Sequence, residues 1–151
     1  MRTFTWIAVA DFDEDEHADL AVTNRDDDNI TVLLGNGRGD FVRTGAFPTG
    51  DDPVPIAAAD FTGDGLIDLA VAGGVNDNVA ILLGDGAGGF AAAQTFPTGL
   101  APHALVSGDF NSDGWPSNSR ELIRGLNRYR FTSVHPSSVP GLEFLHVGHL
   151  G

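Results

Sequence analysis

The chain has 151 residues, of which 42% are hydrophobic, and this is enough apolar material for a modest core. Its 21 acidic residues stand against 8 basic ones, all arginine, so a nucleic-acid-binding protein is disfavoured because little positive charge is available to neutralise phosphates. The absence of cysteine excludes disulfides, thiolate metal sites and cysteine nucleophiles.

The sequence also predicts a chain without a membrane span. No apolar run approaches the ~20 residues that cross a bilayer. The N-terminus lacks the apolar stretch of a signal peptide, because Asp11 follows only a few apolar residues. If the protein is exported, we expect its signal to lie outside this chain.

The first third of the chain carries four short apolar runs that predict β-strands. An acidic turn separates the second run from the third, and a glycine-rich connection typical of a β-hairpin separates the third from the fourth. The predicted strands are residues 1–10, 19–24, 29–34 and 41–47.

A second unit repeats the first at a distance of 49 residues, and nearly half of residues 11–50 are identical to their counterparts in 60–99. An Arg-Gly-Asp tripeptide at 38–40 spells an integrin-binding motif, but its counterpart at 87–89 is Ala-Gly-Gly, so we interpret it as a hairpin turn. Four short strands in about 50 residues are typical of one β-propeller blade. The second set of predicted strands is 56–59, 69–72, 79–83 and 90–96.

The sequence therefore predicts an all-β protein with two complete repeats, the start of a third, and an atypical tail. The third unit begins at Ala104, but its pattern stops after Gly114. The arginine-rich tail contains one predicted amphipathic helix at 120–129. We expect this tail to be irregular or partly helical, or disordered, and to reflect truncation, fusion or a change of reading frame. The predicted boundaries are 5–50, 51–99, 100–114 and 115–151.

The loop between the first two strands of each unit has the composition of a calcium site. Calcium takes about six to eight oxygen ligands, which a loop can offer from side chains at positions 1, 3, 5 and 9 and from the carbonyl of position 7. In the third unit Ser117 stands at position 9, which places that site in doubt. The predicted ligands are Asp11, Asp13, Asp15, His17 and Asp19; then Asp60, Thr62, Asp64, Leu66 and Asp68; then Asp109, Asn111 and Asp113.

Two other interpretations of these loops are an EF-hand and a metal-free turn. An EF-hand needs a glutamate at position 12 and flanking helices, whereas Val22 and Val71 stand there, so the loops are not EF-hands. Aspartate and glycine also make good turns without a metal, and this alternative stays open. Gly65 permits the sharp turn of the second loop, while Glu16 stands at the equivalent position of the first, where we expect turn strain.

The segments 60–71 and 79–90 resemble FG-GAP repeats of the VCBS type, because the acidic loop, the strands and the glycine turn recur in the same order. Such repeats form integrin α-chain-like β-propellers and occur in many bacterial surface and secreted proteins. The resemblance covers residues 5–114 and implies that the first loop of each blade binds calcium. Propellers of this type close with about seven blades. Two blades and part of a third should therefore leave a sheet face uncovered, which implies a fragment, an oligomer or partial order.

From this resemblance we expect a non-enzymatic, calcium-stabilised adhesion or recognition module at the cell surface or outside the cell. Its partner would be a protein or a glycan, and self-association or further blades of a parent protein would close the propeller. One alternative is a carbohydrate-binding accessory part of a secreted polysaccharide-degrading enzyme, although Phe47 and Phe96 lie at equivalent blade ends and are predicted to be packing residues. Another is a gene fragment without a function of its own.

Overall fold

A computed structural model describes residues 6–75, 77–97, 105–106, 129–134 and 144–149. These residues are almost entirely β-structure, with a short 3-10 helix at Arg25–Asp27. None of their helical structure has the length and apolar character needed to cross a membrane. The strands are β1 (Ile7–Ala10), β2 (Asp19–Asn24), β3 (Asn29–Gly35), β4 (Phe41–Pro48), β5 (Pro53–Ala59), β6 (Asp68–Gly73), β7 (Asn78–Leu82), β8 (Gln94–Pro97), β9 (Leu105–Val106), β10 (Tyr129–Val134) and β11 (Phe144–His149).

Two four-stranded antiparallel sheets confirm the predicted pair of blades. The first sheet has the strand order β1-β2-β3-β4, and the second has the order β5-β6-β7-β8. Their registers are equivalent, since Ile7 pairs with Val22 in the first sheet and Ile56 pairs with Val71 in the second. Each pair is displaced from the other by the 49 residues of the sequence repeat, so the two units adopt the same fold.

A hydrophobic core joins the two sheets. In β2, buried residues alternate with half-buried ones, as expected when one face of a strand packs against a neighbouring layer. In β6 all six residues are buried, because the second sheet is covered on both faces. The core between the sheets consists of Ala8, Phe12, Ala21, Ile30 and Val32 from the first and Ile56, Leu69, Val71, Ala80 and Leu82 from the second.

A second hydrophobic core lies on the face of the second sheet that is turned away from the first sheet. It consists of Phe61, Ala70, Ala72, Val79 and Ile81, with Leu105 of β9 packed against them. Phe96 also packs against this core, and Phe47 packs against the core between the sheets. The prediction that these two aromatic residues are packing residues is therefore confirmed.

Polar contacts fix the second sheet relative to the first. The Arg25 guanidinium donates two hydrogen bonds to the Asp52 carboxylate, which lies just before β5. The Asp52 backbone N–H in turn donates to the Asp28 carboxylate at 2.9 Å. These bonds join the turn between β2 and β3 to the connection between β4 and β5, so they hold the start of the second sheet against the first.

The last strand of the second unit is shorter than predicted. Residues 90–96 were expected to form one strand, but β8 begins only at Gln94, and Phe90 makes an isolated bridge to Gly84. The intervening residues are three alanines, which are weaker strand formers than the Val-Arg-Thr sequence at the same place in β4. The ladder therefore breaks where propensity is lowest.

The described part of the tail forms strands. β10 and β11 pair with each other, and β11 also pairs with the short β9, which gives the order β10-β11-β9. β9 is the first strand of the third unit, so β11 occupies the place of the second strand that the sequence pattern lost after Gly114. The predicted helix at 120–129 lies outside the described residues except for Tyr129, which begins β10.

Candidate metal centre

The first acidic loop, residues 11–19, joins β1 to β2 and brings three carboxylates together. Asp11, Asp13 and Asp15 each place one carboxylate oxygen within 4.8 Å of the others. Asp11 and Asp13 are half-buried, and Asp15 is exposed. This convergence is the arrangement that the sequence predicted for positions 1, 3 and 5.

The second acidic loop, residues 60–68, shares two hydrogen bonds from backbone N–H groups with the first. Asp11 Oδ2 accepts from the Glu16 N–H at 2.8 Å, and Asp60 Oδ2 accepts from the Gly65 N–H at 2.8 Å. The position-5 carboxylate accepts from the N–H of position 7 in both loops, at 2.9 Å from His17 to Asp15 and from Leu66 to Asp64. The two loops differ at the other oxygen of position 1, because Asp11 Oδ1 accepts from the Asp15 N–H, whereas Asp60 Oδ1 accepts from the Thr62 and Gly63 N–H groups.

Position 9 anchors each loop to the sheet behind it. Asp19 Oδ2 accepts from the Phe12 N–H and Oδ1 from the Gly35 N–H, both at 2.7 Å. Asp68 makes the equivalent bonds, at 3.0 Å from Phe61 N–H and 2.9 Å from Gly84 N–H. Both side chains are almost fully buried. Each carboxylate oxygen of Asp19 and Asp68 keeps a second lone pair that could bind a cation. The hydrogen bonds that these oxygens already accept connect the start of the loop to the end of the third strand of the same sheet.

Position 3 carries the only side-chain oxygens of the two described loops that are both buried and without a hydrogen-bond partner. They are Asp13 Oδ1 in the first loop and Thr62 Oγ1 in the second. A buried oxygen that lacks a partner is costly, and the same cost arises at the same position of both loops. A hard cation bound in each loop would be a partner for the buried oxygen of that loop, so the residues present fit a calcium ion.

The carboxylates of both loops are crowded. Desolvation raises the pKa of Asp13 above its ordinary value, and the nearby carboxylates of Asp15 and Asp19 raise it further. Burial likewise raises the pKa of Asp68, with a smaller contribution from Asp64, although its backbone hydrogen bonds act in the opposite direction. These carboxylates therefore carry their negative charge at a cost that a nearby positive charge would remove.

Position 7 packs against the hairpin of its own sheet. The His17 ring lies where a side chain on Gly37 would be, and Leu66 lies in the same way against Gly86. His17 Nδ1 is 2.8 Å from the Asp15 carbonyl oxygen, and the contacts with Asp15 raise the pKa of His17. The position-7 side chains thus support the loop by packing against the hairpin.

Two residues of the first loop adopt the left-handed backbone conformation that favours glycine. Glu16 has φ 66°, which confirms the expected strain at this position, and Glu14 has φ 60°. Sequence reasoning missed Glu14, although its counterpart Gly63, with φ 79°, was the signal that could have identified it. The third predicted set, Asp109, Asn111 and Asp113, lies outside the described residues.

The first loop also contacts the second sheet, which the sequence did not predict. The Gly88 N–H donates a 3.0 Å hydrogen bond to the Phe12 carbonyl, and the Phe90 ring packs edge-on against Phe12 with ring centroids 5.6 Å apart. Gly88 lies in the hairpin between β7 and β8. The first acidic loop is therefore held in place by the hairpin between β7 and β8 of the second sheet.

Comparison with known families gives a match over the same region. A family model described as FG-GAP-like repeat matches residues 11–71 and again residues 60–117. The two matches begin at the first aspartate of the first and second loops, and together they span more than half of the chain. No curated protein matches the chain.

Proposed function

The chain belongs to the FG-GAP-like repeat family, whose repeats build β-propeller-type modules, and we propose that it is a calcium-binding segment of such a module. The ion would have a structural role in a non-catalytic part of a surface or secreted protein that serves adhesion or recognition. The two equivalent four-stranded sheets and the repeat matches support the propeller-type module.

The observation that carries the calcium proposal is the partnerless buried oxygen at position 3 of both loops. Asp13 and Thr62 differ in chemistry, yet each holds an oxygen that no protein donor satisfies. In both loops the carboxylates at positions 1 and 5 are held by backbone N–H groups of their own loop. A turn built for backbone capping alone would not need a buried, partnerless oxygen at position 3 of both copies.

A bound calcium ion supplies the positive charge that the crowded carboxylates lack. The chain contributes a loop that is already folded, because its hydrogen bonds form within the protein. An ion that binds this folded loop and not the unfolded chain stabilises the protein by mass action. Extracellular modules commonly bind calcium with dissociation constants of about 10⁻⁴ to 10⁻³ M, so we expect affinities in this range.

We expect calcium to raise the thermal unfolding temperature of the full chain. At about 10 mM calcium, each site should add about 1.5 to 3 kcal/mol to the free energy of unfolding, which corresponds to a shift of several degrees. Asp15→Asn and Asp64→Asn should each remove part of this shift, and the double variant should remove most of it. Asparagine keeps an oxygen for the N–H of position 7, so the turn itself should survive in both variants.

Asp26→Asn is the matched control, because Asp26 is an exposed aspartate outside the loops. This variant should retain the full calcium-dependent shift. Unfolding of the unmodified chain should be followed in calcium, in magnesium and in chelator. An unfolding temperature that is the same in calcium and in chelator would contradict the proposal, as would a shift that survives in the double variant.

Adhesion or recognition outside the cell is supported by the family, since FG-GAP repeats are typical of extracellular proteins. The partner would be a protein or a glycan that binds the assembled propeller. A glycan array and a protein-binding screen with the calcium-loaded chain would distinguish these two classes.

A further inference from the structure

The hairpin between β3 and β4 holds the only asparagine of the sequence that is followed directly by glycine, Asn36 before Gly37. Both residues are exposed, so water reaches the side-chain amide. The carbonyl carbon of an asparagine side chain can be attacked by the backbone nitrogen of the next residue. Glycine hinders the closure of this ring least, because it has no Cβ. The hydrogen bonds of the hairpin decide whether the folded chain favours the reaction.

Two backbone N–H groups of the hairpin donate to the side-chain oxygen of Asn36. The Arg38 nitrogen lies 2.9 Å from Asn36 Oδ1, and the Asp40 nitrogen lies 3.3 Å from it. The first of these bonds closes an Asx turn, in which the side-chain amide folds back over the following peptide, here that of Gly37. Attack on the side-chain carbonyl carbon would place a negative charge on Oδ1. The two donors therefore lie where that charge develops, as in an oxyanion hole.

Asp40 fixes the orientation of the Asn36 amide from the other side. Asn36 Nδ2 donates to Asp40 Oδ2 at 3.1 Å. The Asn36 backbone N–H also donates to the Asp40 carbonyl oxygen at 3.2 Å, so one residue holds both the main chain and the side chain of Asn36. The amide oxygen thus faces N–H donors and the amide nitrogen, which would be the leaving group, faces an exposed carboxylate.

We propose that Asn36 is a self-modification site, which the folded hairpin converts by deamidation. The Gly37 nitrogen gives its proton to water and forms a bond to Asn36 Cγ, and Oδ1 carries the negative charge. The bond from Cγ to Nδ2 then breaks, and Nδ2 takes up a proton from water and leaves as ammonia. Water opens the resulting cyclic imide to aspartate or isoaspartate. The net reaction consumes one water, releases one ammonia and needs neither a cofactor nor bound calcium.

The second hairpin shows that an aspartate fits at this place. Asp85 is the counterpart of Asn36, and its Oδ1 accepts from the Ala87 and Gly89 N–H groups, both at 2.9 Å. An aspartate at position 36 can therefore keep both N–H bonds. The counterpart of Asp40 is Gly89, so the second hairpin has one carboxylate where the modified first hairpin has two. Deamidation thus replaces the bond between positions 36 and 40 by the repulsion of two like charges.

The test follows deamidation of the full chain by peptide mass spectrometry at mildly alkaline pH, in buffer and in urea that unfolds the chain. Asn36 should convert at least as fast in buffer as in urea, because the two N–H donors are in place only in the folded hairpin. Asn29 should convert at least about tenfold more slowly than Asn36, because the branched side chain of Ile30 hinders ring closure. Asn36→Gln should remove the fast conversion, which assigns it to this residue.

Asp85→Asn is the matched variant. It places an asparagine before Gly86 with the same two N–H donors, but position 89 carries no carboxylate. In the folded variant, position 85 should convert at a rate within about threefold of that of Asn36. Conversion of Asn36 that is slower in buffer than in urea would overturn the proposal, because the hairpin would then protect the amide. So would a position 85 that converts only in urea, because the donors common to both hairpins would then not promote the attack.

Discussion

Asp68→Asn should destabilise the chain by about 2 to 3 kcal/mol, and it should do so in chelator as well as in calcium. The buried Asp68 carboxylate accepts one hydrogen bond with each oxygen, from the Phe61 and Gly84 N–H groups. Asparagine has nearly the same shape but only one acceptor oxygen, so one N–H would face an NH₂ donor. The loss is limited because asparagine keeps one of the two bonds and avoids burying a charge. Chemical denaturation in chelator measures it.

Asp64→Asn provides the control for this prediction. Asp64 is exposed, and its single bond to the Leu66 N–H can be made by an asparagine oxygen. In chelator it should therefore cost less than about 0.5 kcal/mol. If Asp68→Asn is as stable in chelator as the unmodified chain, position 9 does not anchor the loop, and its burial needs another explanation.

Phe90→Ala should destabilise the chain by about 2 to 4 kcal/mol, because it removes the ring that joins the two sheets. The Phe90 ring centroid lies 5.6 Å from that of Phe12 and 5.4 Å from that of Phe47, with both pairs near perpendicular. Such edge-on pairs contribute about 0.5 to 1.5 kcal/mol beyond the area they bury. Equilibrium denaturation measures the effect.

Phe41→Ala is the matched comparison for Phe90→Ala. Phe41 occupies the same place in the repeat but is 44% exposed, so its removal should cost less than about 1 kcal/mol. The difference in unfolding free energy between the two variants measures the contribution of packing between the sheets, because any preference of the hairpin itself for phenylalanine is common to both. Equal losses in the two variants would contradict the packing described between the sheets.

The repeat made most of the two sheets predictable. β2 coincides with the predicted strand 19–24, and β3 and β4 differ from prediction by one residue at one end. Because the second unit repeats the first at a distance of 49 residues, each strand predicted in the first unit also predicted a strand in the second. The prediction that residues 90–93 belong to the last strand was wrong, because alanine is a weak strand former. The similarity of the two repeats concealed this local change in sequence.

The positions of the acidic loops could be predicted from the sequence, but the separate roles of their aspartates could not. Spacing alone gave Asp19 the same role as Asp11. The Gly35 N–H that occupies one of its oxygens comes from the end of β3, 16 residues later, and no local pattern reveals such a contact. In the first loop the structure separates positions 1, 3 and 5, whose carboxylates converge, from position 9, which fastens the loop to the end of β3.

The tail was the least predictable part of the chain. Its local pattern favoured a helix over 120–129, whereas the described strands pair across long sequence distances, as Leu145 does with Val106. Strand pairing of this kind is decided by what the rest of the chain leaves unpaired. The repeat pattern of the sequence stops after Gly114, and β11 pairs with β9 where the second strand of the third unit is expected.

Equilibrium dialysis of the full chain against calcium, with bound ions counted per chain, is the measurement to make first. Asp15→Asn and Asp64→Asn should each reduce the number of bound ions by one at millimolar calcium, and the double variant by two, while Asp26→Asn leaves it unchanged. No bound calcium at concentrations up to about 10 mM, or the same number of ions in all four variants, would show that the loops are acidic turns and not metal sites.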